Sequence, residues 1–135
     1  MSTLFLLLQY NDVALLFLRF AVALVFLAHA LPKLRSPRRM AEGMGYPRAG
    51  GGVFALGAVE LASAAMLVLG FYAQLAAFAL ALIMVGAIFM KTVRWNIPFA
   101  AHDKAGWEFD LVLLAANAVI LMSGGGLLSI FPNLF

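Results

Sequence analysis

From Gly51 to Met90 the chain runs for 40 residues with one charged side chain, Glu60. A helix needs about 20 apolar residues to cross about 30 Å of hydrocarbon. The stretch is about twice one crossing, so it must fold back on itself. The turn is expected at Gly70-Phe71-Tyr72-Ala73-Gln74. Glycine permits the bend there, and Tyr72 and Gln74 suit an interface.

Two further spans flank this hairpin. One covers 13–31, with Asn11 and Asp12 as N-cap residues and Pro32 as a stop. The other covers 106–124 and ends at Gly124-Gly125-Gly126. With the hairpin at 52–70 and 72–90, the fold class is all-α: an integral membrane four-helix bundle. The tail from Leu127 to Phe135 contains Pro132 and is too short to cross, so it is expected to lie in the interface. Met1 to Tyr10 has no basic residue ahead of it. That departs from the secretory signal pattern, and the segment is expected to stay in the mature chain.

Composition agrees with this reading. Hydrophobic residues make up 65% of the chain and charged residues 11%, against about 25% charged in a soluble domain. There is no cysteine, which excludes disulfide frameworks and thiolate metal sites. The net charge of +3 is a matter of topology, not of nucleic acid. Lys33, Arg35, Arg38, Arg39 and Arg48 follow the first span, and Lys91, Arg94 and Lys104 follow the third. The termini and the Gly70 turn carry no basic residue. Basic short loops stay in the cytoplasm, so both termini are expected on the outer side of the membrane. In the first basic loop, Ser36-Pro37 starts a short helix that Gly43 and Gly45 end. Met40 and Met44 share a face of it. That helix is expected to rest on anionic lipid headgroups or to dock a partner protein.

Four charged residues fall inside the spans: Arg19, Glu60, Glu108 and Asp110. Each costs roughly 2.5–3.5 kcal/mol at the bilayer centre if it faces lipid. They are therefore expected to face inward and pair. Counting about 1.5 Å per residue brings Arg19 within reach of Glu60. Around the first helix, Lys33 lies about 40° and His29 about 80° from Arg19, so the three share a sector. Glu108 and Asp110 are about 160° apart on theirs and cannot face one pocket. The expected cluster is Arg19, His29, Lys33, Glu60 and Glu108. Asp110 and Asn117 form a second polar seam, toward a neighbouring helix or a second subunit. Gly57, Ala58, Ala62 and Ala65 in the second span, and Ala77, Ala81 and Gly86 in the third, are expected at close helix contacts. No metal site is expected. His29 and His102 are the only histidines, and a bis-histidine haem would need both.

These residues, in this order, resemble the DoxX family of small bacterial membrane proteins. The carriers are Arg19, His29-Ala30-Leu31-Pro32-Lys33, Gly45-Tyr46-Pro47, Glu60, Leu69-Gly70, Gly106-Trp107-Glu108-Phe109 and the stretch from Gly124 to Ser129. Ala30 stands where the family usually has glycine, and the arginine often found after Leu-Gly is missing. The resemblance implies one membrane domain over the whole chain. It also implies a link to redox, since DoxX-like subunits are associated with thiosulfate:quinone oxidoreductase, oxidative-stress complexes and quinone or catechol detoxification. On that reading His29, Lys33 and Arg19 donate hydrogen bonds to a quinone. Glu60, Glu108 and Arg19 carry the proton chemistry. No cofactor other than a bound quinone is expected. The expected partners are lipids, a redox or assembly protein and a second copy of the chain. The competing reading is a non-enzymatic assembly partner or a small proton-coupled transporter.

Overall fold

The computed structural model describes residues 2–131. Six α-helices follow one another: α1 Ser2–Leu8, α2 Asn11–Arg35, α3 Pro37–Gly43, α4 Gly50–Leu69, α5 Ala73–Phe89 and α6 Trp107–Ser123. A five-residue π-helical turn, Met90–Arg94, extends α5. Among the described residues, three helices are long and apolar enough to cross a membrane: α2, α4, and α5 with its π turn. The 17 residues of α6 reach about 25 Å. Phe17, Leu24 and Val112 are more than two-thirds exposed, as suits side chains that meet lipid.

The hairpin forms where expected. Gly70 adopts a left-handed conformation, φ 67°, and its N–H closes the end of α4 on Leu67 O. A side chain at Gly70 would run into Ser129 and the Arg19 guanidinium. Glycine is thus required twice at this position, for its backbone angles and for space.

The expected stop at Pro32 is corrected, since α2 continues to Arg35 with Pro32 inside it. Proline's φ fits a helix, and it forgoes one hydrogen bond to the preceding turn. The last turn is held from outside by Lys33, which is buried against α4, and Ser36 N–H closes it on Pro32 O. The expected capping by Asn11 or Asp12 is also absent. The helix has no side-chain cap, and Asp12 Oδ1 instead accepts from the N–H of Leu127 at 2.8 Å.

α2 packs mainly along α4, and α5 along α6, while α2 and α6 meet much less. Gly57 sets the first crossing: a Cβ built there would lie 2.8 Å from Lys33 Cβ and 3.3 Å from Ala30 O. Ala30 is therefore buried against α4. Of the small residues expected at contacts, Gly57 and Ala77 are buried. Ala58, Ala62, Ala65 and Gly86 are exposed, because the buried face of α4 follows Gly57, Glu60, Ala64 and Leu67. Gly57→Val should cost about 1–3 kcal/mol by overpacking, measured as a lower unfolding midpoint in detergent. Ala58→Val, on the exposed face, should leave that midpoint unchanged.

The tail does not float free. Residues 124–131 fold back across the end of the bundle at the Gly70 turn, where Ile130 N–H donates to Leu69 O and Phe131 N–H to Gly70 O. Pro132 and the last three residues of the expected interfacial segment lie outside the described residues.

Candidate functional site

At the opposite end, the two helix pairs enclose a cavity of about 630 Å³. Phe26, Leu56, Leu82, Met84 and Leu113 belong to its apolar wall. Met40, Met44 and Tyr46 line it from α3 and the following loop. The expected shared face of the two methionines thus turns toward the bundle interior. Trp95 ties this roof down, its indole N–H donating to Met44 O at 3.2 Å.

Two ion pairs face this cavity. Lys33 Nζ reaches Glu60 Oε1 at 2.5 Å, joining α2 to α4. Lys91 Nζ reaches Asp110 Oδ2 at 2.7 Å, joining the π turn to α6. All four side chains are at least four-fifths buried. Each pair neutralises itself, as burial demands. The second carboxylate oxygen of Glu60 is buried and accepts no hydrogen bond from a described residue.

The close approach at Gly57 lets the first pair form, since it presses the Lys33 stem against α4 one turn from Glu60. The π turn belongs to the second. Its wider winding places Met90 and Lys91 together on the cavity wall, and such turns are frequent at functional sites. His29 also lines the cavity but is exposed, its ring 5.8 Å from that of Phe109 on α6. These two partly exposed rings bring α2 and α6 into contact beside the cavity.

The structure therefore brings together three of the expected cluster, His29, Lys33 and Glu60, and separates two. Arg19 does not pair with Glu60. Its Nη1 donates to Gly125 O at 2.7 Å and its Nη2 to Leu128 O at 2.8 Å. The reason is axial register. Lys33 meets α4 at Gly57 and Arg19 lies at the level of Gly70, which is ten residues, about 15 Å, beyond Glu60. Arg19 is an anchor for the folded-back tail.

Glu108 is half-buried and lines no part of the cavity, whereas Asp110 does. The buried face of α6 is Asp110, Leu113, Asn117 and Ile120. Opposite facing of Glu108 and Asp110 was legible, but not which of them faced inward. Asn117 is fully buried, and its Nδ2 donates to Leu113 O within α6. The polar seam thus lies inside the bundle and not on a surface open to a second subunit. Sequence alone places Lys91 in a basic loop, whereas the structure puts it on the cavity wall. The one available signal was Asp110 at seven residues from Asn117. Among the described residues, no group of three His, Asp or Glu side chains comes together to hold a metal ion.

The family model described as DoxX matches residues 14–93. The match runs from α2 into the π turn and includes Lys33, Glu60 and Lys91. No curated protein and no solved structure matches the chain.

Proposed function

This chain belongs to the DoxX family, and from that premise we propose that it is a quinone-interacting subunit of a membrane oxidoreductase or oxidative-stress complex. The observation that carries the reading is the pair of buried lysine–carboxylate bridges facing one apolar cavity. A volume of about 630 Å³ is in the range of small-molecule sites, which combine apolar walls with a few fixed polar groups. A quinone is a flat apolar ring with carbonyl oxygens. Lys33 and Lys91 donate to those oxygens, while Glu60, Asp110 and His29 handle protons. Reduction of a quinone to its quinol takes up two electrons and two protons. A partner redox protein supplies the electrons, and the exposed side of the cavity at His29 and Phe109 gives access from the bilayer. The basic loops, and with them the roofed end of the cavity, face the cytoplasm, and both termini face outward.

The test uses the two tryptophans. Trp95 lines the cavity, and Trp107 packs on Phe99 with ring centroids 4.6 Å apart. In detergent, a short-chain quinone should quench fluorescence saturably. Quenching should persist in Trp107→Phe and vanish in Trp95→Phe. Absence of any saturable quenching, together with no quinone in lipid extracts of the purified protein, would refute the reading.

Gly86 offers a second check. It lines the cavity, and no atom lies within 4 Å of a Cβ built there. Gly86→Phe should fill the space and weaken quinone binding at least about tenfold, which is about 1.4 kcal/mol. The unfolding midpoint should hold or rise, because glycine is the poorer helix former by about 1 kcal/mol relative to alanine.

A further inference from the structure

The corner between α2 and α3 holds another cavity, of about 510 Å³, lined by Pro32, Arg35, Ser36, Arg39 and Met40. Both arginines are exposed, and neither guanidinium pairs with a described residue. Glu42, the one acidic residue of α3, pairs with neither. The Ser36 side chain makes no capping bond. Arg35, Ser36 and Arg39 thus line one concavity, and no carboxylate among the described residues pairs with either guanidinium. Arginine's planar fork matches phosphate oxygens two at a time.

We propose that this pocket binds the phosphate of an anionic phospholipid headgroup, gripped by Arg35 and Arg39 with Ser36 as a further donor. Position selects a lipid over free phosphate. Arg35 ends a 25-residue helix long and apolar enough to cross a membrane, so the pocket lies at headgroup depth. Pro32 and Met40 give it apolar walls that suit the glycerol ester region and offer nothing to an inorganic ion. Met40 also lines the central cavity, so a lipid seated here braces α3 where it roofs that cavity. The site stands whatever the central cavity binds.

The experiment titrates delipidated full-length protein in neutral detergent with short-chain phosphatidylglycerol, phosphatidylcholine or inorganic phosphate. The wild type should bind phosphatidylglycerol saturably, and the other two much more weakly. The Arg35→Gln/Arg39→Gln double variant should lose about 100-fold in affinity, the order expected for charge-assisted hydrogen bonds. Arg38→Gln/Arg48→Gln removes equal charge outside the pocket and should lose no more than about 30-fold. Arg35→Lys/Arg39→Lys keeps the charge without the fork and should lose about tenfold. This last variant serves if the glutamine pair fails to fold. Equal losses in the two glutamine doubles, unchanged binding in the pocket double, or phosphate binding as tight as the lipid's would each overturn the proposal.

Discussion

Lys33→Met should lower stability by about 3–5 kcal/mol, the cost of leaving one member of a buried ion pair alone. Lys33 Nζ is the hydrogen-bond donor to Glu60, and the other carboxylate oxygen has no hydrogen-bond partner among the described residues. Glu60→Leu should cost a similar amount, since it strands the ammonium group instead. The double variant Lys33→Met/Glu60→Leu should recover to within about 1 kcal/mol of wild type, because apolar replacement of a whole buried pair is often neutral or better. Unfolding midpoints of the four proteins in one detergent give the cycle. The double variant also separates structure from function, for it should fold as well as wild type and yet bind no quinone. Wild-type quinone affinity in a well-folded double variant would remove this pair from the site.

Arg19→Met should act at the other end of the molecule. The guanidinium supplies hydrogen bonds to two tail carbonyls, and charged hydrogen bonds are worth about 1.5–3 kcal/mol each. A loss of about 3 kcal/mol or more is expected, concentrated in residues 124–131. The amides of Ile130 and Phe131, now bonded to the Gly70 turn, should lose their protection from hydrogen exchange. The chain has no cysteine, so Ser129→Cys gives a single thiol whose labelling should accelerate when Arg19 is replaced. Quinone quenching of Trp95 should be unaffected. Loss of quenching with a protected tail would return Arg19 to the site and contradict the register described above.

Much of the bundle was legible because the cues are local. Apolar runs of about 20 residues with at most two charges mark spans by the cost of exposing polar groups to lipid. Gly70 marks the hairpin because its left-handed backbone disfavours other residues. Ser36-Pro37 and Gly43 bracket α3 as expected. The site was half legible. His29, Lys33 and Glu60 were found because ionisable groups in apolar helices must face inward. Arg19 was drawn into the same cluster by a depth estimate that ended α2 at Pro32. Carrying the helix to Arg35 and packing it at Gly57 puts Arg19 about ten residues beyond Glu60.

The sequence by itself determined the four long helices and α3, the turn at Gly70 and which residues are too polar to meet lipid. Each of those follows from the chemistry of a short stretch of chain. Only the tertiary structure decided the partners: Lys33 with Glu60, Lys91 with Asp110, and Arg19 with the tail. Partnership depends on axial register and rotational phase between helices. Those were set by the close approach at Gly57, by the π turn that carries Lys91, and by a tail that folds back to claim Arg19.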